Sequence, residues 1–124
     1  MRIPTMMQES VKNRIFECKL VRCIDGDTLK LSIDLGFRMT FVDNIRLIDI
    51  DTPEMNTTSG KAIKALLVKK FSGEWDSNRM ILESSKHGKY RWVGLVHIWD
   101  KTNNDYLCLN KWLVSEGYAR SYKV

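Results

Sequence analysis

Ile15-Phe16-Glu17-Cys18-Lys19-Leu20-Val21-Arg22-Cys23-Ile24, then Asp25-Gly26, then Asp27-Thr28-Leu29-Lys30-Leu31-Ser32-Ile33: the fold of this chain is read outward from this stretch. Residues 15–24 are rich in branched and aromatic side chains and read as a strand. Asp25-Gly26 is a preferred pair for a tight hairpin turn, because both central residues can take positive φ. Over 27–33, Leu29, Leu31 and Ile33 alternate with Thr28, Lys30 and Ser32, the period of a half-buried strand. Asp34-Leu35-Gly36 is expected to be a second turn. Residues 37–43 read as a third strand, with Phe37, Met39 and Phe41 on one face. Segment 45–50 continues extended to Asp51-Thr52-Pro53, where proline pushes the preceding residue away from the helical region.

Beyond this sheet the period changes. Ala62, Ile63, Leu66, Leu67 and Phe71 fall at helical spacing from about Ser59, with Lys61, Lys64, Lys69 and Lys70 on the remaining surface and Ser72-Gly73 as the stop. Residues 79–83 and 92–99 read as further strands, with Gly94 marking a bulge or a close approach. Asn110 suits the N-cap of a short helix through Glu116, and Gly117 its C-terminal cap. Residues 1–13 show neither period and read as a loose arm before a single domain over 14–124. This order of elements argues for an α+β fold, or a small barrel with helices at its rim.

Composition bounds the function. The chain has 124 residues, 44% hydrophobic and 28% charged, as an average globular domain has. Its longest uncharged apolar run, Trp92 to Trp99, is far short of a membrane span, and no charged-then-apolar-then-small pattern opens it, so an intracellular, cytoplasmic location is expected. Three cysteines do not make a disulfide framework and suit a reducing compartment. Twenty Lys+Arg against 15 Asp+Glu give +5, a lean toward phosphate-bearing partners.

The chemistry-bearing residues are Asp25, Asp27, Asp49, Asp51 and Glu54, with Arg46 among them. They stand where strands give way to turns, positions from which side chains can leave a sheet and converge. Hard oxygen donors so arranged suit Ca²⁺ or Mg²⁺. Cleaving a phosphodiester needs charge neutralisation on the phosphate, an activated water, and donors for developing negative charge. Two aspartates on a metal, a glutamate on water and an arginine fork would supply them. Residue types alone leave a second reading open, in which the carboxylates serve turn chemistry and Arg46 pairs across the sheet.

The strings Ile24-Asp25-Gly26-Asp27-Thr28 and Arg46-Leu47-Ile48-Asp49-Ile50-Asp51-Thr52-Pro53-Glu54 resemble the signature of the thermonuclease, or staphylococcal nuclease-like, family. Lys89-Tyr90-Arg91-Trp92 and the run Leu109-Asn110-Lys111-Trp112-Leu113-Val114-Ser115-Glu116-Gly117-Tyr118-Ala119 resemble two further motifs of that family, in the same order. The resemblance implies an α+β fold, a five-stranded OB-type β-barrel with two packed helices, and a monomeric Ca²⁺-dependent nuclease of low sequence specificity. It implies Asp27, Asp51 and the Thr52 carbonyl as Ca²⁺ ligands, and Glu54 as the residue that positions and deprotonates water. Arg46 and Arg91 would bind the phosphate; Lys89, Tyr90 and Tyr122 would contact DNA or RNA. The 5′ oxygen would leave, giving 3′-phosphate ends. The other function class in view is a non-catalytic OB-type nucleic-acid-binding or protein-interaction module.

The chain departs from the family pattern in places. The glycine before Arg91 is missing, and Asp49 stands where the family has a small or apolar residue. Strand alternation would put Asp49 on the same side as Asp51. The stretch from Asp27 to Arg46 is longer than in the staphylococcal enzyme and that from Glu54 to Arg91 shorter. Cys18 and Cys23, five apart on a strand, are expected on opposite faces, as buried thiols rather than ligands. His97 reads as a sheet residue and His87 as part of a solvated or phosphate-facing loop. Trp92, Trp99 and Trp112 read as core or rim aromatics, and Trp75, in a polar stretch, as the exposed one.

Overall fold

In a computed structural model, residues 14–85 and 91–121 are described, so the expected arm over 1–13 lies outside them. The opening hairpin forms from β1 (Arg14–Asp25) and β2 (Thr28–Gly36), antiparallel with Cys23 opposite Leu29 and Asp25 opposite Thr28. The turn between them is Gly26-Asp27, and neither residue takes positive φ. Glycine is needed there for proximity instead: a Cβ on Gly26 would lie 2.8 Å from Thr52 Oγ1 and 3.0 Å from Ile63 Cγ2. A register shift between Leu20 and Arg22 puts one extra residue into β1. Cys18 and Cys23 consequently both face the core, against the expectation of opposite faces. Both are free, buried thiols, pushed up by burial to about 12 and about 11 respectively.

The second hairpin turns later than expected. β2 runs on through Gly36, and Phe37 and Arg38 make the turn at φ 53° and 61° before β3 (Met39–Leu47). Two successive positive φ values match the right-handed twist of the flanking strands, usually an Asn-Gly role. Phe37 therefore leaves the sheet and stands 96% exposed at the tip.

A turn with Asp49 at φ 66° leads to the short β4 (Ile50–Asp51), and α1 (Thr58–Ser72) follows. Thr57 caps α1 by accepting the Gly60 N–H at 3.0 Å. Its apolar stripe, Ile63, Leu67 and Phe71, is buried, and α1 packs against β1 and β5 (Trp75–Ser85). β5 starts almost directly after the helix, so Trp75 enters the core rather than a loop. It is 2% exposed, edge-on to Phe71 and Trp112 at 5.3 and 4.9 Å between ring centroids.

β6 (Trp92–Asp100) pairs antiparallel with β5 and, at its start, parallel with the end of β3, with Arg46 opposite Val93. That parallel contact closes the strand order β3-β2-β1-β5-β6 into a ring. β7 (Asp105–Cys108) extends the sheet beyond β6, α2 (Leu109–Ser115) follows, and β8 (Arg120–Ser121) pairs with β4. The fold is mostly β, a five-strand ring with two helices, as the α+β expectation has it. β7 and β8, of four and two residues, are too short to show a period. No helix among the described residues is long and apolar enough to cross a membrane.

Asn110 corrects another expectation. α2 starts from Cys108, and Asn110 lies inside it, 2% exposed. Its Oδ1 accepts the Val96 N–H at 3.1 Å, and its Nδ2 donates to the carbonyls of Ile48 at 3.0 Å and Gly94 at 3.1 Å. One amide thus ties α2 to β6 and to the end of β3. Gly94 is a close approach, since a Cβ there would meet the Glu83 carbonyl oxygen at 2.6 Å.

Candidate functional site

Asp27 occupies the last position of the first turn and is buried there. Its carbonyl accepts the Leu47 N–H at 2.8 Å, fastening the turn to the end of β3. Its carboxylate accepts from the Thr28 hydroxyl at 3.3 Å through Oδ1 and from the Thr52 N–H at 3.2 Å through Oδ2. Arg46, on β3, extends Nη1 to Asp27 Oδ2 at 3.2 Å and to the Leu47 carbonyl at 3.1 Å, and Nη2 to Asp51 Oδ1 at 3.4 Å. Two carboxylates from separate segments thus meet on one guanidinium. The Asp27 side of the pair is largely shielded from water and the Asp51 side is open. Arg46 balances a charge that burial would otherwise make costly.

Asp25 supplies a third carboxylate: its Oδ1 accepts the Asp27 N–H at 3.1 Å. Burial pushes the Asp25 carboxyl up, and a side-chain hydrogen bond with Asp27 and the Asp27 charge push the same way, against the lowering effect of that backbone N–H. Burial would raise Asp27 too, but that bond with Asp25, the Thr52 amide and hydroxyl, and Arg46 outweigh it, so Asp27 lies below its ordinary value. The two carboxyls are thus pushed apart, Asp25 up and Asp27 down.

Glu54 follows Pro53 out of β4 and is exposed. Its backbone is fixed by α1: its carbonyl accepts the Thr57 N–H at 3.0 Å and the Thr57 hydroxyl at 2.6 Å. Glu54 lines a cleft of about 400 Å³ with Asp51, Thr52, Gly117, Tyr118 and Arg120. Gly117, at φ 80°, turns the chain back after α2 so that Arg120 pairs with Asp51 across β4 and β8. Sequence reading missed Arg120, whose only signal is its place just after the Gly-Tyr-Ala run.

Asp27, Arg46, Asp51 and Thr52 are thus brought together, and Asp51 and Thr52, though not Asp27 or Arg46, line the cleft with Glu54. Arg91 is exposed beside β6 and lines a separate groove with Trp92 and Phe41. Lys89, Tyr90, Tyr122 and His87 lie outside the described residues. Asp49 does not alternate with Asp51: the turn at φ 66° sends it toward a depression lined by Ile48, Asn110 and Lys111. His97 sits in the sheet as expected, with Nε2 3.6 Å from Glu83 Oε2.

Among the described residues no group of three or more His, Cys, Asp and Glu side chains is arranged to hold a metal ion. The oxygens that converge are those of the Asp27 and Asp51 carboxylates, on the two sides of Arg46; Thr52 meets Asp27 through its N–H. Their chemistry fits a hard cation such as Ca²⁺, whose shell accepts backbone carbonyls and waters beside a few carboxylates. No protein-family model matches the chain, and no curated protein does.

Proposed function

We propose that this chain is a Ca²⁺-dependent phosphodiesterase of the staphylococcal nuclease-like kind, built on a five-stranded OB-type barrel. It would hydrolyse DNA and/or RNA with little sequence preference, leaving 3′-phosphate ends. The observation that supports this best is the Arg46 guanidinium held between Asp27 and Asp51 at 3.2 and 3.4 Å, beside a cleft that Glu54 lines. Asp27, Asp51 and the Thr52 carbonyl would hold Ca²⁺. Bound there, the ion supplies charge neutralisation on the phosphate and a more acidic water.

The chain's own residues do the rest. Glu54, exposed and carried on a backbone fixed by Thr57, orients the attacking water and takes its proton. Arg46 turns its planar fork to phosphoryl oxygens, a geometry that lysine lacks. Asp25 holds the turn that carries Asp27, accepting the Asp27 N–H at 3.1 Å. Arg91, Lys89, Tyr90 and Tyr122 contact the substrate in this reading, and Arg120 adds positive charge to the cleft.

A second reading, a non-catalytic nucleic-acid-binding or protein-interaction module, is favoured by one observation: Arg46 already pairs with both carboxylates. Single-stranded DNA incubated with Ca²⁺ and with chelator separates the two. The nuclease reading expects cleavage only with Ca²⁺, and a loss of about 10²- to 10⁴-fold in Glu54→Gln, the usual worth of a positioned proton acceptor. Cleavage in chelator, or full activity in Glu54→Gln, sinks the mechanism. Neither cleavage nor a Ca²⁺-dependent rise in melting temperature leaves the binding module.

A further inference from the structure

Where the ring closes, β3 and β6 leave an aromatic surface that the proposed cleavage site does not use. Trp92, the first residue of β6, is 58% exposed. Its indole is held in place: Nε1 donates to Asp43 Oδ2 at 3.0 Å, and Phe41 packs against it at 89° with 5.7 Å between centroids. These two contacts fix the ring without hiding it. The pair borders a groove of about 590 Å³ with Ile45 and Leu82 beneath and Arg14 and Arg91 beside it. Among the described residues that line it there is no Asp or Glu. On the β3–β6 ladder Trp92 is in register with Ile45, one step from Arg46 and Val93, while none of Asp27, Arg46 and Asp51 lines the groove.

We propose that this groove binds single-stranded nucleic acid, with a base stacked on Trp92 and the flanking phosphates taken by Arg91 and Arg14. The inference rests on the nucleic-acid reading above and names what that site takes: an unpaired strand, whose bases are free to leave their neighbours and lie on an indole. A pre-oriented aromatic ring beside arginines is the combination by which proteins hold single strands without reading sequence. A purely apolar partner peptide would leave both guanidinium groups without a counter-charge at the contact, so charge favours the polyanion. Arg91, apart from the carboxylate pair, has a role here that does not require it to reach the cleaved bond.

The test uses the full chain in chelator, where the proposed chemistry is off, with a fluorescent oligothymidylate and a duplex of equal length as probes. Wild type is expected to bind the single strand more tightly than the duplex. Trp92→Ala should weaken single-strand binding by about fivefold to a hundredfold, the worth of one stacked base, and Trp92→Phe by less. The oligothymidylate should quench tryptophan emission in wild type and lose most of that quench in Trp92→Phe. Equal affinity of wild type and Trp92→Ala for the single strand overturns the proposal. So does a groove that takes an apolar peptide but no oligonucleotide. Intact Trp92-dependent binding with no Ca²⁺-dependent cleavage would remove the catalytic reading and keep this one; cleavage with Trp92-independent binding would do the reverse.

Discussion

Replacing Asn110 with alanine should cost more stability than any surface change in this chain, and the cost can be worked from its three hydrogen bonds. Val96 N–H loses its 3.1 Å acceptor in a buried place. An orphaned buried donor costs about 1–3 kcal/mol. The Ile48 carbonyl loses a 3.0 Å donor, worth about 1 kcal/mol. The Gly94 carbonyl is spared, since the Ile48 N–H still reaches it at 3.0 Å. Together the two come to about 2–4 kcal/mol, the small cavity left by the amide included. In urea, at a slope of about 1.5 kcal/mol/M, the midpoint should fall by roughly 2 M. Asn110→Asp sharpens the test: it keeps an acceptor for Val96 but turns a carboxylate toward two carbonyl oxygens. It should be about as damaging at neutral pH and milder in acid, where the protonated group can donate. Amide hydrogen exchange at Val96 should accelerate in the alanine variant. A loss below about 1 kcal/mol in Asn110→Ala, or a wild-type Asn110→Asp at neutral pH, would show that the amide is not what joins α2 to the ring.

Two further outcomes follow from the same contacts. Asp25 is raised by burial, by a side-chain hydrogen bond with Asp27 and by the Asp27 charge, so its protonation stabilises the fold at low pH, and that contribution fades as pH rises through its elevated value. Asparagine is a permanent neutral donor, so Asp25→Asn in chelator should match wild type at about pH 3 and exceed it at neutral pH by up to about 1 kcal/mol; lower stability at neutral pH would refute the upward push on Asp25. Asp27 runs the opposite way, its depressed value stabilising the fold at neutral pH and releasing it in acid. Gly60→Ala gains about 0.5–1 kcal/mol of helix propensity yet sets a methyl group against the Glu54 carbonyl oxygen. The clash should win by about 1–2 kcal/mol in a thermal melt and, on the proposed function, also reduce cleavage by displacing Glu54; a stabilised variant would refute the close approach.

The particular errors of sequence reading have identifiable physical causes. The Cys18–Cys23 spacing was right for a regular strand, but a bulge near Val21 added one residue and reversed the face. Trp75 looked exposed because its neighbours are polar, yet the stop of α1 delivers it between Phe71 and Trp112. Trp92 read as a core or rim aromatic, and of the two the structure has the exposed one, because it sits where β6 has only begun to pair. Asn110 looked like a cap because that is what asparagine near a helix start most often does; the carbonyls it binds lie 62 and 16 residues away.

The sequence by itself determined the strands of the first two hairpins, helix α1 with its buried stripe, and the acidic segments from which a site could be built. Periods of 2 and 3.6 record locally which face a residue shows to the core, so such elements are legible without a partner. Only the tertiary structure decided that β3 and β6 close a ring in parallel, that one guanidinium holds Asp27 and Asp51, and that Asp25 and Asp27 titrate in opposite directions. Those facts depend on pairing between distant segments, on a bulge and on burial, and a local period carries none of them.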